Sequence, residues 1–145
     1  MGSVSHHNSI ETERKLCRFL DIAKKDAEAI YLVGDIFDYW FEYRNVIPRG
    51  FTRVLGKLSE ITDSGIEVHF FIGNHDIWLT DYLQDECGLI IHRKPINISL
   101  KGYNLFIAHG DGLGDDSLSF KFVRRIFHSK FLRFLFAGIH PRWTI

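Results

Sequence analysis

Three short segments of this chain carry side chains able to bind a metal: Gly34-Asp35-Ile36-Phe37-Asp38, Gly73-Asn74-His75-Asp76 and His109-Gly110-Asp111. Each closes an apolar run, respectively Ala29-Ile30-Tyr31-Leu32-Val33, Val68-His69-Phe70-Phe71-Ile72 and Leu105-Phe106-Ile107-Ala108. The pattern puts a carboxylate, an amide oxygen and an imidazole at three strand exits. Such a mixed oxygen and nitrogen set suits a hydrolytic dinuclear metal site better than a structural zinc.

Taken singly, each segment also has a plainer reading. Gly-Asp is common in turns, so Asp35 alone is as well explained as a cap. Gly-Asn-His-Asp can be a tight turn, but that accounts for the Gly and Asn and not for the His–Asp pair. His75 is placed to ligate or to act as a general acid, with Asp76 expected to accept from its ring and fix the tautomer. A lone His at a strand end is more often structural, yet His109 is followed by Gly110-Asp111-Gly112. The agreement of the three loops outweighs any one of them. His69 lies inside a strand-like run, and His92, His128 and His140 have no partner motif.

The elements that must position these loops are legible in outline. Asn8 reads as a helix N-cap with Glu11 completing a capping box, and Leu16, Phe19, Leu20 and Ala23 follow at helical spacing with charged residues between them. A strand starts near Ala29. The aromatic run Tyr39-Trp40-Phe41-Glu42-Tyr43 falls in a loop or short helix, and 51–64 reads as a helix through Phe51, Val54, Leu55, Leu58 and Ile61, stopped by Gly65. Strands are expected over 67–72, 88–92, 96–100 and 105–108, with a short helix over 77–86. Strands alternating with helices predict an α/β fold with parallel pairing.

With 46% hydrophobic and 14% aromatic residues, the 145-residue chain can bury one core, and the disordered class is excluded. The zero net charge hides an asymmetry: residues 117–145 hold six of the 18 Lys/Arg and none of the 18 Asp/Glu. That tail is basic, aromatic and amphipathic at helical spacing. Cys17 and Cys87 form no CxxC pair, and reduced thiols are expected. Residues 1–8 are polar, without the apolar stretch of a signal peptide, and no run is long enough to span a bilayer.

These motifs resemble the calcineurin-like metallophosphoesterases, and among them the UDP-2,3-diacylglucosamine hydrolases of lipid A synthesis with His rather than Arg after Gly-Asn. The aromatic run after Asp38 and His109-Gly110-Asp111-Gly112-Leu113-Gly114 favour that branch. The resemblance implies an incomplete metallophosphoesterase sandwich, mixed sheets flanked by helices, over residues 1–116, with 117–145 opening a basic helical cap. It implies two divalent metal ions, with Mn²⁺ the expected metal. Asp35 would bridge them, and Asn74 and His109 would bind the second. His75 would protonate the leaving group or steady the phosphoryl oxygens, oriented by Asp76. Asp38 and Asp111 would stand behind the ligands, and Arg124 and Arg125 would offset substrate charge. The implied partners are a lipid-linked UDP-sugar and the membrane surface, at the cytoplasmic face of the inner membrane.

The chain departs from that pattern at both ends. No Asp-x-His stands near its start and no Gly-His-x-His follows His109. The expectation is a chain truncated at both ends, with one metal site lost or weakened, weak or no activity of its own, and exposed sheet edges open to a second copy. Two other readings stay open: a phosphoesterase acting on nucleotide or protein phosphate, and a non-catalytic truncated chain. No stacking or groove motif supports nucleic-acid binding.

Overall fold

The two helices and the strand-like runs form in a computed structural model, which describes residues 6–43, 46–110 and 129. The order is α1 (His6–Ala23), β1 (Ala29–Val33), α2 (Thr52–Asp63), β2 (Glu67–Phe71), α3 (Tyr82–Asp85), β3 (Ile90–His92), β4 (Ile96–Leu100) and β5 (Tyr103–Ile107). β1, β2 and β3 form a parallel sheet in that order, and β4 and β5 pair antiparallel as a separate hairpin. The fold is mixed α/β with two sheets. The expected division at residue 116 and the cap over 117–145 lie outside the described residues.

One face of the parallel sheet carries the core. Ile30 and Leu32 of β1 and Val68 and Phe70 of β2 point into it, against Val54, Leu55, Leu58 and Ile61 of α2 and Leu20 of α1. The α2 stripe is therefore the buried face that its spacing predicted. The aromatic run is a loop; its Trp40 and the preceding Phe37 are fully buried, with ring centroids 4.4 Å apart. Phe37 also meets Phe51 and Phe70. The loop that leaves β1 is thus anchored by aromatic packing rather than by regular structure.

Several expectations are corrected. α1 starts at His6, so Asn8 lies inside the helix and not at its N-cap. Phe19 is 60% exposed, while Glu13, one of the charged residues, is buried. Glu13 sits at helical spacing from Leu16, Cys17 and Leu20, on the stripe itself. Its carboxylate accepts from the backbone N–H of Arg53 and Val54, at 2.9 and 3.2 Å, and from the Arg53 guanidinium. The N-cap residue Phe51 has no capping side chain, and Glu13 supplies the missing acceptor from another helix. The helix expected over 77–86 shortens to the four residues of α3. Cys17 and Cys87 are free thiols, as expected.

The other sheet face brings together two histidines that had no sequence partner. His69 Nδ1 and His92 Nε2 lie 2.9 Å apart, with His69 stacked on Tyr31 and His92 on Phe71. Glu67 Oε2 is 3.4 Å from His69 Nε2. In this contact one imidazole donates and the other accepts. Burial first, and then His69, hold His92 below the usual imidazole pKa. The unfolded chain takes up that proton near pH 6.5, before the folded chain does. Stability is therefore full above about pH 6.5 and falls as pH drops through the lowered pKa of folded His92. Urea midpoints measured against pH should show this slope, and His92→Gln should flatten it; an unchanged slope would remove the pair as its source.

Candidate metal centre

Parallel strands gather their C-terminal ends along one edge, and the loops after β1 and β2 leave from there, while His109 follows β5 of the separate hairpin. After β1 the backbone turns left-handed at Gly34 (φ +70°) and again at Asp35 (φ +52°). A carboxylate-bearing residue held at positive φ is a strained position that the surroundings must enforce. The enforcing neighbours are close. A Cβ on Gly34 would fall on the His109 ring, and one on Gly73 would fall on the Asp35 carboxylate and backbone nitrogen. Both glycines are there because three loops meet at contact distance.

That contact brings Asp35, Asn74 and His109 to one point. His109 Nε2 is 3.1 Å from Asn74 Oδ1 and 3.2 Å from Asp35 Oδ2. His109 Nδ1–H donates to the Val33 carbonyl at 3.2 Å, which leaves Nε2 facing the two oxygens. Three lone-pair donors aimed at one another lack a positive charge, which a proton on Nε2 or a bound cation supplies. The donor set fits a divalent ion that accepts mixed oxygen and nitrogen ligands. Only two of its members are His, Cys, Asp or Glu, and no group of three or more such residues is poised around a metal among the described residues.

His75 and Asp76 are arranged differently from the expectation. The His75 N–H donates to Asp35 Oδ1 at 3.0 Å, and its ring Nδ1–H donates to the Asp38 carbonyl at 2.8 Å. Asp76 therefore does not fix the tautomer: the Asp38 main chain does. The Asp76 carboxylate is fully buried and turns back: Oδ1 accepts from the Gly73 N–H at 2.5 Å, and Oδ2 has no hydrogen-bond partner among the described residues. It closes the turn of the loop after β2. Burial, more than this bond or its charged neighbours, pushes its pKa up to about 6. Asp111, Arg124 and Arg125 lie outside the described residues.

No family model matches the chain. Curated proteins do. A UDP-2,3-diacylglucosamine hydrolase of Porphyromonas gingivalis is 47% identical over 146 residues, all of this chain and 56% of that protein. The chain is similar along its whole length to a protein of that name. Proteins of the same name from Edwardsiella ictaluri and Hamiltonella defensa are 34% and 33% identical, over 86% and 87% of the chain and 48% and 49% of theirs. The chain thus spans about half the length of the curated relatives it matches. The kinship read from the three motifs agrees with these relatives.

One residue near the centre escaped the sequence reading. Glu42, within the aromatic run, is buried at 7% exposure. Its carboxylate accepts from Trp40 Nε1–H at 2.9 Å, from the Thr80 hydroxyl, and from the N–H groups of Thr80 and Asp81 at 2.8 and 3.0 Å. The only advance signal was an acid flanked by large aromatic residues, which such neighbours tend to bury with it.

Proposed function

We propose that this chain is the metal-binding part of a hydrolase that cleaves the diphosphate of UDP-2,3-diacylglucosamine, giving 2,3-diacylglucosamine 1-phosphate and UMP. The observation that carries the reading is the convergence of Asp35, Asn74 and His109 on one point, in a chain 47% identical throughout to a hydrolase of that name. Asp35, Asn74 and His109 would hold one divalent cation, and Mn²⁺ is the ion we expect. Such an ion supplies Lewis acidity and neutralises charge on a phosphoryl group. A second ion, as the resemblance implies, needs donors beyond these three.

The protein's own groups have separate tasks. Asp35 uses Oδ1 to hold the His75 backbone and keeps Oδ2 toward the cluster. His75 has Nδ1 committed to the Asp38 carbonyl, so Nε2 is the atom that exchanges a proton with a phosphoester oxygen or steadies it. Asp76 acts by holding Gly73 against Asp35 rather than by touching His75. Arg124 and Arg125 would offset phosphoryl charge from the basic tail. That tail would rest on anionic lipid at the inner membrane's cytoplasmic face. No helix among the described residues is long and apolar enough to cross a membrane. Pairing with a second copy would use β1 or β3, the outer strands of the parallel sheet.

Hydrolysis of UDP-2,3-diacylglucosamine with added Mn²⁺ tests the reading. Asp35→Asn and His109→Ala should each lower the rate by about 100-fold or more, the usual cost of removing one preorganised charge-stabilising group. Isothermal titration should show Mn²⁺ binding weakened in both. A chain that binds no divalent cation, or variants that hydrolyse as well as the parent, would end it.

A further inference from the structure

The loops after β1 and β2 are joined side by side by a series of contacts. The Trp40 N–H donates to the His75 carbonyl at 3.3 Å, and Phe41 bridges Trp78. At the end of the series sits Glu42, binding Trp40 on its own loop and Thr80 and Asp81 on the other. Asp81, at the N-terminus of α3, makes no capping bond of its own. The opposite side of the same segment is held by Arg93, which donates to the Leu79 and Thr80 carbonyls at 3.1 and 2.7 Å. Thr80 is therefore gripped by its N–H from one direction and by its carbonyl from the other.

A carboxylate this enclosed, accepting from at least four donors, fixes geometry more than it adds stability. What it fixes is the spacing between the two loops. The Asp38 carbonyl lies on the first loop and the His75 ring that donates to it on the second. If the loops slide apart, that bond goes first, because nothing in Asp76 replaces it. The ring would then be free to move its proton to Nε2, the atom needed for substrate.

We propose that Glu42 is a positioning residue for His75: by clamping Thr80 and Asp81 to Trp40, it holds the Asp38 carbonyl where it fixes the His75 proton on Nδ1. This rests on the reading of His75 as the group that meets the phosphoester. Glu42 itself touches neither the cluster nor that ring.

The test reads the imidazole directly. In the metal-free 145-residue chain labelled with ¹⁵N-histidine, long-range proton–nitrogen spectra report the ratio of the two neutral tautomers for each ring. His75 is assigned by its loss in His75→Gln. In the parent chain the Nδ1–H form of His75 should dominate. In Glu42→Ala the ratio should fall roughly fivefold, the equilibrium weight of one net hydrogen bond. Glu42→Gln keeps an oxygen for Thr80 and Asp81 and loses the Trp40 donor, so its ratio should fall roughly twofold. The His69–His92 signals, on the far sheet face, certify the fold. A folded Glu42→Ala chain with the parent ratio overturns the proposal, since a purely structural role would lower only the unfolding midpoint. If Glu42→Ala does not fold, an unchanged ratio in Glu42→Gln overturns it equally. A ratio that responds in a chain inert toward Mn²⁺ and UDP-2,3-diacylglucosamine upholds the positioning and removes the function proposed above.

Discussion

Gly34→Ala should break the Asp35–Asn74–His109 cluster while leaving the sheet in place. Two effects act together. Gly34 sits at φ +70°, where a Cβ is strained whatever the space around it. That Cβ would also fall on the His109 ring, which can escape only by swinging Nε2 away from Asp35 and Asn74. A displacement of about 1 Å at such a site is worth about 100-fold in rate. Gly73→Ala should match it for a different reason. Gly73 carries no positive φ, but its Cβ would meet the Asp35 carboxylate and backbone nitrogen, so space alone demands glycine there. Gly56 is the control. It lies inside α2 with nothing near its Cβ position, and Gly56→Ala should stabilise the chain by about 1 kcal/mol. Mn²⁺ titration and urea unfolding on the three variants separate the effects. Unaltered Mn²⁺ affinity in Gly34→Ala would show that His109 does not need its place beside Asp35.

Glu13→Ala should be strongly damaging although it lies outside the centre, lowering stability by about 3 kcal/mol. The carboxylate is 1% exposed and is the acceptor for the first N–H groups of α2. Val54 is fully buried, so its N–H would be left without a partner that water could easily replace. Glu13→Gln keeps one oxygen in the same place and should lose only about 1 kcal/mol, because the Arg53 partner is half exposed and its ion pair is screened. Chemical denaturation of both variants reads the difference. Equal losses for Ala and Gln would mean that charge, not the capping of α2, is what Glu13 provides.

The relation between sequence and structure differs sharply between elements. The stripe Val54, Leu55, Leu58 and Ile61 and the bounds of β1 and β4 were readable because local periodicity reports the side facing the core. In α1 the same periodicity conflicts with polarity: Glu13 is the buried member of the stripe and the apolar Phe19 faces solvent. The helix over 77–86 was overread because Glu42 and Arg93, distant in sequence, hold most of that stretch as a loop.

At the centre, residue types and strand-exit positions alone marked Asp35, Asn74 and His109 as a metal-binding set and pointed to the relatives that the chain has. Hydrogen-bond partners could not be reached that way. The Asp35–His75, Glu42–Thr80 and His69–His92 contacts join residues 40, 38 and 23 positions apart. Which carbonyl holds the His75 ring, which way Asp76 turns and which acid caps α2 depend on how loops from different strands come to rest against one another. Periodicity is a property of one segment, whereas a partner is chosen only when two segments pack, and so tertiary structure alone decided those.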